Sequence, residues 1–245
     1  MVMLVMGGLV AGSATAADAI VGGHPATQLY PAMVSIQKKD SKGEYMHDCG
    51  AVLIDPRWAV TAGHCASADS KSDRIRIGSS KWNANGQVVS VTQEIRFPAG
   101  SARSSYQDIG LLKLAIPVSY RPMKLGRVPA VGSPVRLIGW GVTSPDSEEY
   151  PVELQEVDSA LTRGTVCQHT HPGDLCVEDP QHRGTSGCDG DSGGPLMVHQ
   201  AGEWRLIGVT SRNGGSGPAC EASGIYTNVP QNRAWIEKTI GHPLP

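Results

Sequence analysis

Short apolar runs separated by glycine, proline and other turn residues constrain this chain more than any other feature. The 245 residues include 30 glycines and 17 prolines, a content that suits many short strands and excludes a helical bundle. The pattern therefore predicts an all-β fold of barrels or sandwiches, and only the tail, about 231–240, has helical spacing. Candidate strands lie at 32–37, 51–54, 58–61, 87–97, 109–114, 134–140, 195–198, 204–210 and 225–229.

The first residues differ in character from the rest of the chain. Residues 1–10 are apolar apart from two glycines, and residues 11–17 are all small, as in the apolar core and cleavage region of a secretory signal. The run is about half of the ~20 apolar residues that span a membrane, so no stable membrane anchor is expected. The sequence predicts a secreted, extracellular protein, with candidate cleavage sites of the A-x-A type at 14–16 and 17–19.

Charge and cysteine content narrow the partners and the redox compartment. The formal net charge is −2 and the basic residues are scattered, which favours neither nucleic acid nor an anionic membrane as a partner. Six cysteines without a close CxxC pair indicate disulfides rather than a zinc site. The small number of disulfides and the lack of an Asn-x-Ser/Thr sequon are more typical of a bacterial than of an animal protein.

Three motifs carry reactive side chains in the order His, Asp, Ser. His64 ends the sequence TAGH after a candidate strand, Asp108 opens the apolar run DIGLLKL, and Ser192 lies in GDSGGP. Acyl transfer needs a nucleophile, a base that takes its proton and an acid that holds the base. Each motif alone has an ordinary structural explanation, such as a surface histidine, a strand cap or a glycine turn. Together they predict catalysis.

With IVGG at Ile20 and GWG at Gly139, these motifs resemble the chymotrypsin–trypsin family of serine proteases from Ile20 to the C-terminal helix. The family usually has alanine where Gly63 and Gly110 stand, and neither position carries a reacting atom. The resemblance implies two six-stranded antiparallel β-barrels with a short C-terminal helix, and an active site in the cleft between the barrels. The predicted units are a signal peptide plus short pro-segment (1–19), an N-terminal barrel (20–127) and a C-terminal barrel with the helix (128–245).

The resemblance also implies a role for each reactive residue. Ser192 would attack the scissile carbonyl, His64 would accept and then return the proton, and Asp108 would orient the imidazole. The backbone N–H groups of Gly190 and Ser192 would form an oxyanion hole. Ser211 would hydrogen-bond to Asp108.

Asp191 needs a partner, because a buried carboxylate beside the nucleophile is costly when it is unpaired. In the family the partner is the new α-amino group of the processed chain, which here would belong to Ile20. We hypothesise that the chain is inactive until it is cleaved between Ala19 and Ile20. Ala19 is not a lysine or arginine, so a trypsin-like activator is not expected. Direct release by signal peptidase and trimming of a three-residue pro-peptide are both open.

The resemblance further implies how the cysteines pair and what lines the specificity pocket. Val135 and Val198 stand where one more family bridge would lie, so that bridge is missing at both ends. The implied disulfides are Cys49–Cys65, Cys167–Cys176 and Cys188–Cys220, and the implied pocket residues are Ser186 at the floor with Ser211, Asn213 and Gly224 on the walls.

The pocket residues predict an uncharged substrate side chain. Ser186 and Gly224 offer no carboxylate, so a buried lysine or arginine would lack a counter-charge at a cost of several kcal/mol. Cleavage after aromatic or large apolar residues is therefore expected. Arg212 and Asn213 replace the tryptophan and glycine that the family usually has. A smaller side chain, or an acidic one attracted by Arg212, is the alternative.

No metal or cofactor is expected. Arg74, Arg76, Lys81 and Asn83 stand where some relatives bind calcium and provide no carboxylate, and no phosphate loop or dinucleotide motif occurs. The expected partners are protein or peptide substrates and protein inhibitors, and the expected state is a monomer.

Two other classes of function compete with a secreted serine endopeptidase. A non-catalytic binding protein on the same fold would typically have lost a member of the triad, and this chain has lost none. An esterase of the α/β-hydrolase fold would have its residues in the order Ser, acid, His around a GxSxG elbow.

Overall fold

The computed structural model describes residues 22–66, 74–98, 107–144, 147, 149–178, 187–215, 220 and 222–245. Within these ranges the chain is built almost entirely of antiparallel strands. The strands are β1 (His24–Pro25), β2 (Met33–Lys39), β3 (Tyr45–Asp55), β4 (Trp58–Thr61), β5 (Arg74–Ile77), β6 (Gln87–Arg96), β7 (Gly110–Leu114), β8 (Pro134–Gly139), β9 (Gln155–Thr162), β10 (Asp174–Val177), β11 (Pro195–Gln200), β12 (Glu203–Asn213) and β13 (Gly224–Asn228).

The first barrel closes in the order β2-β3-β4-β7-β6-β5. In β5 the arginines are partly exposed and the isoleucines buried, which is the alternation that a strand with one core face requires. Fully buried side chains such as Ile36, Leu53 and Leu111 fill the interior, as expected for a barrel of this size.

The second barrel runs β8-β9-β10-β13-β12-β11, and pairing of β11 with β8 closes it. Its interior contains Leu137, Leu196, Ile207 and Tyr226. The prediction of two six-stranded antiparallel barrels is therefore confirmed. β1 lies in the predicted N-terminal unit, yet it pairs with Gln155 and Glu156 of β9 in the second barrel.

The strands that sequence patterning missed are short or polar. β5 has only four residues, and β9 has the sequence QEVDSALT, in which polar residues outnumber large apolar ones. β3 begins six residues before the predicted strand at 51–54, because its polar first half pairs with the end of β2. These strands are fixed by their partners rather than by local preference.

The chain ends in a short helix, α1 (Arg233–Ile240). Gly241 ends it in a left-handed conformation, with φ of 88°, which is a common helix C-terminus. Trp235 packs on Phe97 at the end of β6, with ring centroids 5.1 Å apart, so the helix contacts the first barrel. No helix in the described part of the chain is long and apolar enough to cross a membrane.

Candidate active site

His64 and Asp108 lie close together because His64 follows β4, Asp108 precedes β7, and these two strands pair. Thr61 at the end of β4 pairs with Gly110 at the start of β7. His64 lies in a single 3-10 turn after β4. The Nδ1 atom of His64 lies 2.8 Å from Oδ2 of Asp108, and the backbone N–H of His64 donates to Oδ1 at 2.9 Å. The same carboxylate therefore fixes both the imidazole ring and the backbone that carries it.

Asp108 is also held by the second barrel. Ser211 Oγ donates to Oδ2 at 2.7 Å, and Thr227 Oγ1 donates to the backbone carbonyl of Asp108 at 2.9 Å. Burial raises the pKa of Asp108, but the hydrogen bonds from His64 and Ser211 outweigh it and hold the pKa below its ordinary value. The ionised carboxylate accepts a hydrogen bond from the Nδ1–H group of His64, which leaves Nε2 as the basic atom of the ring.

Ser192 is fixed by backbone contacts to both barrels. Its carbonyl accepts a hydrogen bond from Gly50 N of β3 at 2.8 Å, and Gly193 N donates to Thr210 O of β12 at 2.8 Å. The carbonyl of Gly50 in turn accepts from Thr61 Oγ1 at 2.7 Å. These contacts link the Ser192 loop through Gly50 to Thr61, the last residue of β4, which lies three residues before His64.

Two backbone N–H groups of the Ser192 loop have no acceptor among the residues that the structure describes. Gly190 has φ of +93°, a conformation that side-chain-bearing residues rarely adopt. Asp191 N donates to Cys188 O at 2.9 Å. The N–H groups of Gly190 and Ser192 donate to no residue in the described ranges. These are the two N–H groups that the resemblance implies for an oxyanion hole.

His47 is a residue of this site that sequence analysis missed. It is buried in β3, where Nε2 lies 2.9 Å from the Gly190 carbonyl and Nδ1 lies 2.8 Å from Ser35 Oγ. A carbonyl can only accept, so Nε2 carries the proton and Nδ1 accepts from the serine. Burial lowers the pKa of His47 to about 4, so it is neutral at ordinary pH. The sequence offered one signal for His47: it lies two residues before Cys49, whose implied disulfide partner follows His64.

Asp191, next to Ser192, is almost fully buried. Its two carboxylate oxygens accept hydrogen bonds from Gly141 N at 2.8 Å and Cys188 N at 2.9 Å. Burial raises its pKa to about 6, and the nearby charge of Asp189 adds to that effect. No ion pair joins Asp191 to a described residue. Ile20 lies outside the described residues, so the predicted ion pair with it stays a prediction.

The predicted specificity pocket lies only partly within the described residues. Ser186 lies outside the described residues, whereas Asn213 pairs with Gly224 across β12 and β13. The Asn213 side chain is exposed and accepts a hydrogen bond from Gly215 N at 2.9 Å, so it bends toward the turn that follows β12. Arg212 forms an ion pair with the nearly fully buried Asp174. Its charge is thus balanced within the protein.

The six cysteines form three disulfides with the partners that the resemblance implied. One of them joins the residue after His64 to the residue before Gly50. A cluster of candidate metal-ligating atoms, Cys49, His64 and Cys65, does not suit a metal, because both sulfurs belong to a disulfide and neither is a thiolate. The disulfides are Cys49–Cys65, Cys167–Cys176 and Cys188–Cys220.

Two antiparallel barrels, a hydrogen bond between His64 and Asp108, and a Ser192 loop held by backbone contacts to both barrels define the class of serine endopeptidases. A family model described as Trypsin matches residues 20–236, and the chain belongs to that family. The chain is 34% identical to "Trypsin" of Phaedon cochleariae, over 89% of this chain and 87% of the relative. It is 29% identical to human "Kallikrein-14" (90% and 84%) and 31% identical to human "Serine protease 1" (91% and 90%).

Family membership establishes that the protein is a serine-type endopeptidase acting on protein or peptide substrates. The two barrels exclude the α/β-hydrolase fold of the esterase alternative. The reported relatives come from insects and human, so the bacterial origin suggested by the few disulfides and missing sequons has no support. Disulfide number alone does not indicate origin, because this fold has a large apolar core that is stable with few bridges.

Proposed function

We propose that this protein hydrolyses peptide bonds after uncharged, aromatic or large apolar residues, with His64, Asp108 and Ser192 as its catalytic triad. The observation that carries the proposal is the Asp108 carboxylate. It is hydrogen-bonded to His64 from one barrel and to Ser211 from the other. The neighbouring serine loop has two backbone donors without an acceptor among the described residues.

The proposed reaction follows from these contacts. Ser192 Oγ attacks the scissile carbonyl, and its proton passes to Nε2 of His64, the ring atom that Asp108 leaves free. The developing oxyanion accepts hydrogen bonds from the N–H groups of Gly190 and Ser192, each worth about 3 kcal/mol in the transition state. His64 then returns the proton to the leaving amine, and water releases the acyl group by the reverse sequence.

The preference for uncharged residues rests on the charges around the pocket. Ser186 and Gly224 carry none, and the charge of Arg212 is balanced by Asp174. Asp189 is exposed beside Gly190, where water screens its charge and reduces its attraction for a buried cation. An acidic substrate side chain gains little from Arg212, because the guanidinium already pairs with the Asp174 carboxylate.

Maturation and context complete the proposal. The leader over 1–19 directs secretion, and the new amino group of Ile20 pairs with Asp191. The buried Asp191 carboxylate, which lacks a described cation, supports this step. We propose a monomer with barrels divided near 127/128, which protein inhibitors reach through the same cleft as substrates.

The test is hydrolysis of a peptide panel by protein that begins at Ile20, with Ser192→Ala as the matched control. The panel varies the residue before the scissile bond. Turnover after Phe, Tyr or Leu that falls by at least about 10³-fold in the control supports the triad and the uncharged pocket. Turnover after Lys or Arg alone would overturn the pocket assignment. Lack of any turnover, with no labelling of Ser192 by a phosphonylating reagent, would favour the non-catalytic binding protein.

A further inference from the structure

Arg212 lies in β12 directly after the serine that holds Asp108. Its Nη1 donates to Ser211 Oγ at 3.2 Å, and Ser211 Oγ donates to Asp108 Oδ2 at 2.7 Å. The same oxygen accepts from His64 Nδ1 at 2.8 Å. Three consecutive hydrogen bonds therefore connect the guanidinium with the imidazole proposed as the general base.

The other nitrogen of the guanidinium is held by the segment between β9 and β10. Nη2 donates to the carbonyl of His169 at 3.0 Å and to Oδ2 of Asp174. The Asp174 side chain is only 3% exposed and also accepts from His171 N at 2.8 Å. His169 has φ of 58°, a left-handed conformation that is costly for a residue other than glycine. Arg212 is thus fixed at both ends rather than free in solvent.

The charges of this pair balance each other. With both partners present, the positive charge of Arg212 and the negative charge of Asp174 nearly cancel at His64. Arg212 is three hydrogen bonds from the imidazole and Asp174 is four. Removing either one leaves a single charge near the imidazole, in a partly buried place where water screens it incompletely. A lone negative charge favours the imidazolium form of His64, and a lone positive charge favours the neutral form.

We propose that Arg212 is a positioning residue that holds Ser211 against Asp108, and that the Arg212–Asp174 pair sets the electrostatic potential at His64. This inference rests on the proposed function, in which His64 is the general base. The family usually has tryptophan where this chain has Arg212, so the arrangement is a feature of this chain.

Other charged or titratable groups in the described ranges also face this chain of hydrogen bonds. Arg96 at the end of β6 donates to the backbone beside His64. Tyr226 of β13 lies next to β12, and burial raises the pKa of its hydroxyl, so it stays neutral. His169 and His171 lie beside Asp174 and also carry titratable imidazoles. The test must therefore follow the His64 ring itself.

The test is a charge cycle of Arg212→Gln, Asp174→Asn and the double variant, each in protein that begins at Ile20. Arg212→Gln should move the acid limb of the pH profile of kcat/KM upward by about half a pH unit. Asp174→Asn should move it downward by a similar amount, and the double variant should return close to the wild type. An NMR titration of His64 in Ser192→Ala protein should show the same pattern, resolved from His169 and His171.

Two control variants separate charge from structure. Arg127→Gln removes the same charge from an exposed arginine in a groove with Gln200 and Arg205, and it should leave the acid limb unchanged. Arg212→Lys keeps the charge but cannot reach both Ser211 and the 163–174 segment. It should keep the acid limb and lose part of kcat/KM.

The outcomes distinguish this inference from the proposed function. The inference would be overturned if the acid limb and the His64 titration stayed at their wild-type values in all three cycle variants. A fall in kcat/KM alone would then describe a purely structural contact. A wild-type protein that hydrolyses no peptide and is not labelled at Ser192 would instead overturn the proposed function. The NMR titration reports on the pair in either case.

Discussion

At the scale of single residues, His47 links the core of the first barrel to the Ser192 loop. Its Nε2–H group donates to the carbonyl of Gly190, which fixes the peptide that lies between the two proposed oxyanion donors, the N–H groups of Gly190 and Ser192. Because burial lowers its pKa to about 4, the ring stays neutral and keeps one donor and one acceptor. A neutral ring can satisfy both Ser35 and Gly190, whereas an imidazolium would lose its bond as acceptor from the serine.

Replacing His47 should therefore affect activity as well as stability. His47→Leu leaves the Gly190 carbonyl and the Ser35 hydroxyl buried without a partner, and we expect the free energy of unfolding to fall by about 3 kcal/mol. We expect kcat/KM to fall about 10- to 100-fold with little change in KM, because the oxyanion donors lose their orientation. Urea unfolding and peptide kinetics measure the two effects.

Ser35→Ala is the matched control for this prediction. It removes the bond at Nδ1 but keeps the bond between His47 and Gly190. It should lower the free energy of unfolding by about 1 kcal/mol and leave kcat/KM within about threefold of the wild type. Full activity in a folded His47→Leu protein would show that the Gly190 peptide is oriented by other contacts.

At the scale of elements, β3 connects the two barrels. Within four residues it provides His47, a disulfide to the turn that carries His64, and the backbone N–H of Gly50 that binds the Ser192 carbonyl. A Cβ atom at Gly50 would lie 2.7 Å from Gly194 Cα and 2.8 Å from Gly194 N. The strand and the loop therefore approach each other more closely than any side chain allows.

Gly50→Ala should displace the Ser192 loop, because the contact is with backbone atoms that cannot turn aside. A displacement of about 1 Å at reacting atoms costs on the order of 10²-fold in rate, so we expect a loss of that size in kcat. Overpacking should also lower the free energy of unfolding by about 1–3 kcal/mol. Peptide kinetics and urea unfolding of the purified variant test both expectations.

Gly164→Ala is the comparison for this substitution. A Cβ atom there meets nothing nearer than Thr170 Oγ1 at 3.8 Å, so activity within about twofold of the wild type is expected. If Gly50→Ala behaved like Gly164→Ala, the loop would have room that the structure does not show, and the fixed position assigned to Ser192 would be wrong.

At the scale of the whole molecule, we expect the buried Asp191 carboxylate to couple folding to the processing of the N-terminus. Burial raises its pKa to about 6, above the ordinary aspartate value of about 3.9. The folded state then binds this proton more tightly than the unfolded state does. The protonated Asp191 side chain therefore contributes to the stability of the fold below about pH 4, and this contribution is lost as the pH rises through about 6.

Protein that retains residues before Ile20 should therefore lose up to about 3 kcal/mol of unfolding free energy between pH 4 and pH 7 from this group. In protein that begins at Ile20, the new ammonium group would pair with Asp191 and lower its pKa, so this loss should disappear. Unfolding of both forms in urea at several pH values, with Ser192→Ala to prevent self-cleavage, measures the difference.

Protein that begins at Ile20 but is acetylated at its amino group is the control. It has the same length without the charge, so it should behave like the unprocessed form. Identical pH dependence in processed and unprocessed protein would show that Ile20 does not reach Asp191, and the activation hypothesis would fail.

The sequence by itself determined the fold class and predicted which residues are reactive. His64, Asp108 and Ser192 lie in motifs where local backbone geometry requires particular neighbours, such as the glycines around Ser192. The repeated turn residues limit the chain to short strands, and the resemblance carried by the motifs then implied the two barrels. Such signals are readable because each lies within a few consecutive residues.

Only the tertiary structure decided what surrounds those residues. His47 contacts Gly190 from 143 positions away, and Arg212 contacts Asp174 from 38 positions away. Strands such as β9 form because their partners bury them, although their own residues are largely polar. Long-range contacts of this kind depend on how two barrels pack together, and burial, which sets the pKa values of His47 and Asp191, exists only after that packing is complete.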